Sequence, residues 1–345
     1  MTNMATAEPK TRLPETEPPS QLEAERERSS SSNGVASASG APPASSGGLM
    51  WRVVGGVKSM RPHQWVKNLF VLAPVVFAKD IFNPELLVRS FGAFGVFCLL
   101  ASAVYTMNDL VDVEADRAHP IKRFRPIPSG RVPVGAAKVM AVGLTVLAFA
   151  GAFYGPLPFA AVVVAYFLQN VAYSFKLKKV AYVDVTLIAT GFVLRVVAGG
   201  YATGIHVSWY LLACTALLAL FLGFGKRRHE LAQAARNAAK QRSALQAYTP
   251  NALTTALALT GVATIVTYVA YTLDSATRAF FKSDWLWLTA PCVVYGVLRF
   301  VQLVAGRPKA ESPTQEMLRD VPFVLNLVVW VIIVIAIVYR LRPSE

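Results

Sequence analysis

The residues best suited to chemistry are Asn108-Asp109-Leu110-Val111-Asp112-Val113-Glu114-Ala115-Asp116, the densest acidic cluster outside the N-terminal stretch. On a helix turning about 100° per residue, Asn108, Asp112 and Asp116 stack on one face. Asp109 falls beside them, and Glu114 points almost the opposite way. Carboxylates and an amide oxygen gathered on one face repel one another unless a cation sits among them. Hard oxygen ligands of this kind suit Mg2+, which keeps several waters and bridges carboxylates to a substrate's phosphates. A solvated helix end is the other reading of the acids alone. The chain then continues Arg117-Ala118-His119-Pro120-Ile121-Lys122-Arg123-Phe124-Arg125-Pro126. Arginine forks match phosphate oxygens in pairs and lysine adds a point charge, so Arg117, Lys122 and Arg123 are candidates for binding a metal-bound polyanion. A basic loop flanking a membrane span has the same composition, and one loop can serve both purposes.

Other polar groups interrupt apolar surroundings in the same manner. Arg61-Pro62-His63-Gln64-Trp65-Val66-Lys67-Asn68 precedes the first apolar stretch. It is either a contact to lipid headgroups or a holder for a lipid phosphate. Tyr173, Lys176, Lys178 and Lys179 end a later stretch, with Asp184 just inside the next one. Arg195 lies in the middle of an apolar segment. An intramembrane arginine is costly and normally faces the bundle interior. It either pairs structurally with an acid such as Asp184 or lines a cavity, and the cavity is the favoured reading. Lys226, Arg227 and Glu230 open a loop that also carries Arg236, Lys240, Arg242 and Tyr248. That loop is an amphipathic cap over the site or a simple basic loop. Glu316 and Asp320, four residues apart, share a helix face. They accept from a ribose hydroxyl or pair with Arg319 and neighbouring loops.

The elements that must position these groups are membrane spans. A net charge of +14 with 54% hydrophobic residues and a mean hydropathy of +0.44 describe a polytopic membrane protein. Nine stretches have the length and apolarity to cross: 64–79, 86–107, 135–154, 157–173, 182–202, 208–226, 253–273, 284–304 and 322–340. Lysine and arginine gather on one side, in 52–67, 117–138, 176–179, 226–242 and 307–319, which makes that side cytoplasmic. Lys79, Arg89, Arg278, Lys282, Arg340 and Arg342 are left outside. The acidic motif then opens to the cytoplasm, in a multi-pass protein of the inner (cell) membrane. Residues 1–50 are rich in Ser, Pro, Ala and Glu, cannot bury a core and are expected to be a disordered cytoplasmic tail. Residues 51–345 form the membrane domain. The N-terminal tail has no apolar core near its start and is expected to be no signal peptide. Cys98, Cys214 and Cys292 all sit in apolar segments without metal-type spacing and are expected to be packing residues.

Asn108-Asp109-x-x-Asp112-x-x-x-Asp116 resembles the acidic motif of the UbiA-type prenyltransferase superfamily. With Arg61 to Asn68 upstream and Lys122-Arg123-Phe124-Arg125-Pro126 downstream, it is similar to the branch that transfers phosphoribosyl groups to polyprenyl phosphates such as decaprenyl phosphate. Lys226, Arg227 and Glu230 look like that branch's K-R-x-x-E element. The resemblance runs from about Arg61 to Arg340 and implies an all-α membrane protein, a nine-transmembrane-helix UbiA-type bundle with cytoplasmic active-site loops. It further implies Mg2+ on Asn108, Asp109, Asp112 and Asp116, phosphoribosyl diphosphate as donor, a polyprenyl phosphate as acceptor, and a role in arabinan precursor supply for a cell wall. Arg61, Lys67, Tyr173, Lys176, Lys178, Asp184, Arg195 and Glu316 would line the substrate site. No nucleic acid is expected as partner, and a homo-oligomer is compatible with the reading. Aromatic prenyltransferases of the superfamily usually place a second acidic pair where this chain has Asp184 alone, which argues against a prenyl diphosphate donor. A transporter is the third reading. It would gather ionisable groups at the bilayer midplane, where this chain places only Arg195.

Overall fold

The computed structural model describes residues 48–175, 177–237, 247–306 and 313–340, all within the unit Gly47–Glu345. The tail over residues 1–47, and Lys176, Lys240, Arg242, Arg307, Lys309 and Arg342, lie outside the described residues. Among the described residues every regular element is helical. The chain runs through α1 (Leu49–Met60), a 3-10 segment (Pro62–Leu72), α2 (Ala73–Phe77), α3 (Pro84–Val111) and α4 (Val113–Arg117). It continues with α5 (Val134–Tyr154), α6 (Leu157–Phe175), α7 (Val183–Thr203), α8 (Trp209–Asn237) and α9 (Pro250–Leu273). The last elements are α10 (Ser275–Phe281), α11 (Ala290–Gly306), α12 (Pro313–Arg319) and α13 (Val321–Ile335), the last prolonged by a π-helical turn. Among the described residues eight helices are long and apolar enough to cross a membrane, and of the nine stretches expected the one over 64–79 is not among them.

Local sequence sets where these helices begin. The Asn83 side chain accepts from the backbone N–H groups of Glu85 and Leu86, and Pro84 occupies the first turn, where its missing donor costs nothing. Thr249 and Asp320 cap α9 and α13 in the same way, each ahead of a proline. Large apolar side chains such as Val142 and Leu147 on α5, Leu259 and Val266 on α9, and Leu325 on α13 remain exposed. Patches of that size suit lipid tails and not water.

The span expected over 64–79 is the one that departs from an α-helix. Pro62 opens eleven residues of 3-10 helix, with Pro74 in the first turn of α2. A 3-10 helix repeats every three residues, and burial follows that period: Asn68, Val71 and Pro74 are buried, whereas Val66 and Leu69 are exposed. The buried row is tied to its neighbours. Trp65 Nε1 donates to Ser102 Oγ at 3.1 Å, and Asn68 Nδ2 to Cys98 Sγ at 3.3 Å. The carbonyl oxygen of Val71 lies so close to α7 that a Cβ on Gly199 would stand 2.0 Å from it, so only glycine admits this approach. At about 2 Å per residue the 3-10 segment and α2 together cover about 30 Å, the depth of a hydrocarbon core. They lead from the acidic motif to the far end of the bundle, where Lys79 Nζ donates to the carbonyl of Phe280 at 2.8 Å.

Helix α7 joins two cores. Its C-terminal half contributes Ala198 and Ala202 to a cluster with Phe97, Leu100, Phe159 and Val163. Its N-terminal Val185 belongs to a second cluster with Phe221, Tyr248, Leu253 and Phe300. Helix α8 runs to Asn237, well past the expected boundary near 226, because residues 226–235 lose hydropathy but contain no glycine or proline and keep good helix formers. The C-terminal ends of α3, α6 and α8 and the N-terminal ends of α7 and α9 thus meet at one end of the bundle.

Candidate active site at the acidic end of the bundle

The acidic motif straddles the end of α3. Asp112 leaves ideal helical geometry (φ −93°, ψ 7°), but the amides of Asp112 and Asp116 still bond the carbonyls of Asn108 and Asp112 at 3.0 and 2.8 Å. The helical face is therefore kept almost continuous into α4. Asp109 and Asp116 are buried, Asp112 is half-exposed, and Glu114 projects outward to pair with Arg117 at 2.8 Å. The following loop folds back over this face because Ile127 and Val132 pack into a small cluster with Leu110, Val113 and Ala137. Gly130 closes the turn at φ 76°, a conformation that L side chains resist.

That return brings cations to the carboxylates. Arg125 Nη1 contacts Asp109 Oδ1 at 3.2 Å and Asp116 Oδ2 at 2.7 Å. Arg61 reaches Asp109 Oδ1 at 2.5 Å, Lys122 Nζ stands 3.7 Å from Asp116, and Lys178 Nζ lies 3.1 Å from Asp112 Oδ2. Arg117 is held by Glu114 and the carbonyl of Pro128, and Arg123 lies over the Phe124 ring, so neither joins the acids. Arg125, which the sequence reading left without a role, occupies the centre. The signal that could have found it is the Ile127–Gly130 turn, which aims this arginine inward and leaves Arg123 outside.

A second cluster surrounds Asp184 in the first turn of α7. Arg227 Nε donates to Asp184 Oδ2 at 2.7 Å and Nη1 donates to Glu230, while Lys226 stands 3.9 Å from Glu230. Tyr248 donates its hydroxyl to Asp184 Oδ1 at 2.7 Å and accepts from the Tyr182 amide at 2.6 Å. Burial, and then that bond to the carboxylate, push the Tyr248 phenol above its ordinary value. Tyr173 lies within electrostatic reach of Arg227. Arg195 does not pair with Asp184. It donates to Asn68 Oδ1 at 2.8 Å, to the Gly191 carbonyl at 2.8 Å and to the Tyr166 hydroxyl at 2.6 Å, all of them neutral. The reason is geometric: Arg195 lies three turns beyond Asp184 on α7, too deep to meet it. Asp320 likewise serves Arg299 at 2.8 Å and not Arg319, and Glu316 sits on α12 beside Met317, which packs against the second core.

Lys67 lies between the clusters. It is exposed, has no carboxylate partner among the described residues, and feels the repulsion of Lys226, Arg195 and Arg61. Positive charge gathered around Lys67 in this way suits an anion.

Among the described residues no three acidic, histidine or cysteine side chains converge as a protein-only metal cage. The Asn108 Oδ1 atom is nevertheless buried without a hydrogen-bond partner beside the three aspartates. A hard oxygen of this kind, next to carboxylates that reach a polyanion site, fits an Mg2+ that takes part of its coordination from substrate phosphates and water. The profile of the UbiA prenyltransferase family matches residues 69–327. The chain belongs to the UbiA prenyltransferase family. It is 36% identical over 291 residues to the decaprenyl-phosphate phosphoribosyltransferase of Corynebacterium glutamicum, covering 83% of this chain and 87% of that one. The enzyme of the same name from Mycobacterium tuberculosis is 38% identical over 283 residues, 81% and 92% of the two chains. Among solved structures, a UbiA homologue from Archaeoglobus fulgidus bound to GPP and Mg2+ superposes with a TM-score of 0.60 at 17% identity, covering 82% of this chain and 99% of that one. The UbiA-family fold is thereby shared.

In this UbiA-family protein an apolar cavity of about 620 Å3 opens between α9 and α11, lined by Val269, Leu273, Trp287, Val294 and Leu298. It lies toward the end away from the acids and offers almost no polar surface, so it suits hydrocarbon and not the reacting phosphates.

Proposed function

We propose that this protein transfers the 5-phosphoribosyl group of phosphoribosyl diphosphate to a polyprenyl phosphate such as decaprenyl phosphate, releasing diphosphate. The observation that carries the proposal is the identity with decaprenyl-phosphate phosphoribosyltransferases over more than four-fifths of each chain. The arrangement of charge supports it. A prenyl diphosphate enzyme with a second metal needs further acids near Asp184, but that carboxylate is already neutralised by Arg227 and Tyr248. A phosphoribosyl donor needs cations for a second anion, its 5-phosphate, and Lys67 and Lys226, within electrostatic reach of each other, would supply them.

In the reaction an oxygen of the lipid phosphate forms a bond to ribose C1 as the bond from C1 to the diphosphate oxygen breaks. The lipid phosphate is already an anion at neutral pH, so no side chain has to act as general base, and direct displacement inverts C1. When bound, Mg2+ would neutralise charge on the departing diphosphate, and Asn108, Asp109, Asp112 and Asp116 are its proposed holders. Lys122 and Lys178, already beside Asp116 and Asp112, would bind oxygens of the same diphosphate. Lys67 and Lys226 would hold the 5-phosphate and so fix C1 relative to the acceptor. The acidic end is proposed to face the cytoplasm, where the soluble donor resides, from the lysine and arginine asymmetry of the loops. The test offers purified protein and Mg2+ radiolabelled phosphoribosyl diphosphate with several polyprenyl phosphates and, in parallel, geranyl diphosphate with aromatic acceptors. Transfer only in the second set would end the proposal.

A further inference from the structure

We infer that Arg125 is an exchangeable counter-ion: it bridges Asp109 and Asp116 until a divalent cation takes those oxygens, and then passes its guanidinium to a phosphate of the donor. The inference rests on the metal-dependent reading of the acidic motif above. Its ground is the double contact of one Nη1 atom with Asp109 Oδ1 at 3.2 Å and Asp116 Oδ2 at 2.7 Å. Asp109 and Asp116 are among the residues that would hold a hard cation at this motif, so metal and guanidinium would compete for the same carboxylates. The Asn108 Oδ1 atom of the same motif is buried and bonded to nothing, an acceptor to which the arginine does not donate.

Three further observations single out Arg125 among the cations. It comes from a loop and not from a helix, so its side chain can swing while the turn at Ile127 to Gly130 stays packed. Its side chain is 35% exposed although both carboxylates are almost fully buried, so its solvent side faces where a polyphosphate would arrive. Arg61, the other ligand of Asp109, is restrained by stacking on the Tyr105 ring at 5.0 Å, which leaves Arg125 as the mobile partner. Displacing Arg125 by metal alone would strand a guanidinium beside a divalent charge. A donor diphosphate removes that conflict by giving the arginine a new acceptor. Metal and polyphosphate therefore bind cooperatively, and by linkage each strengthens the other equally.

The experiment measures Mn2+ binding to the purified full chain in detergent micelles by the electron paramagnetic resonance of free Mn2+, with and without inorganic diphosphate. Arg125→Gln is expected to bind Mn2+ about tenfold tighter than wild type without diphosphate, since one charge-assisted contact no longer competes. The same variant is expected to lose most of the tightening that diphosphate gives the wild type. Arg125→Lys keeps the charge but not the fork and should fall between the two, and it decides the matter if the glutamine variant does not fold. A purely structural arginine predicts the opposite sign, weaker metal binding on its removal. If Asp109→Asn and Asp116→Asn abolish Mn2+ binding while Arg125→Gln leaves it unchanged or weakened, the exchange is refuted and the metal site stands. If the two aspartate variants leave Mn2+ binding untouched, the metal site itself is wrong, whatever Arg125 does.

Discussion

Replacing Lys67 by methionine separates a binding lysine from a structural one. The ammonium has no carboxylate partner among the described residues and stands within electrostatic reach of the cations Lys226, Arg195 and Arg61, so its removal breaks no ion pair in the unliganded protein. Methionine keeps the unbranched apolar stem and fills the same volume. Thermal stability in detergent is therefore expected to stay level or rise. Binding should change in the other direction. A charge-assisted contact to phosphate contributes about 1.5–3 kcal/mol, so losing one weakens an anion roughly 10- to 150-fold. The assay compares the affinity of phosphoribosyl diphosphate with that of ribose 1-diphosphate, which lacks the 5-phosphate, in wild type and in the variant. Wild type should favour the first compound by that factor, and Lys67→Met should lose most of the preference while binding the second compound almost normally. Undiminished discrimination in the variant would refute the placement of the 5-phosphate at Lys67. So would a large loss of stability, because the lysine would then be holding the fold.

Asp109→Ala, Asp112→Ala and Asp116→Ala are each expected to abolish Mg2+-dependent turnover in a transfer assay, whereas Glu114→Ala should be mild because its side chain projects away to Arg117. Comparable losses at Glu114 and Asp112 would remove the basis for the one-sided metal face. Tyr248→Phe deletes the donor to Asp184 and the acceptor of the Tyr182 amide, and should lower stability by about 1–3 kcal/mol in chemical denaturation; an unchanged midpoint would show that water replaces the hydroxyl. A single engineered cysteine in the 274–283 connection, which contains α10, should react with a membrane-impermeant reagent on intact cells, and labelling only after permeabilisation would invert the proposed orientation.

Much of the bundle was legible because apolar stretches are local properties: those read over 86–107 and 253–273 lie within α3 and α9. The first crossing was not legible as a 3-10 helix. Its apolar residues run unbroken from Leu69 to Ala78 and display no period, and the choice is made by α3 and α7 pressing on Asn68 and Val71. The end of α8 was misjudged because hydropathy marks where the membrane stops and says nothing of where a helix stops. The acidic motif could be read from residue type and spacing alone. Its counter-ions could not, since Arg125 depends on a loop closing onto Leu110 and Val113. The Tyr248–Asp184 and Asn68–Arg195 bonds join residues 64 and 127 positions apart, and no local pattern announces such pairs.

The winding of the first crossing fixes how its sequence can vary. Side chains three apart are eclipsed along a 3-10 helix, so Gln64, Lys67 and Phe70 form one straight file, Trp65, Asn68 and Val71 a second, and His63, Val66 and Leu69 a third. The second file packs against protein, the third carries the exposed Val66 and Leu69, and the first holds Lys67, the proposed contact to the 5-phosphate. Tolerance to substitution along this stretch is therefore written in triplets, like a three-letter frame. Adding or removing a single residue shifts that frame by a third of a turn, turning the exposed third file toward the anions and Lys67 toward the protein or the hydrocarbon.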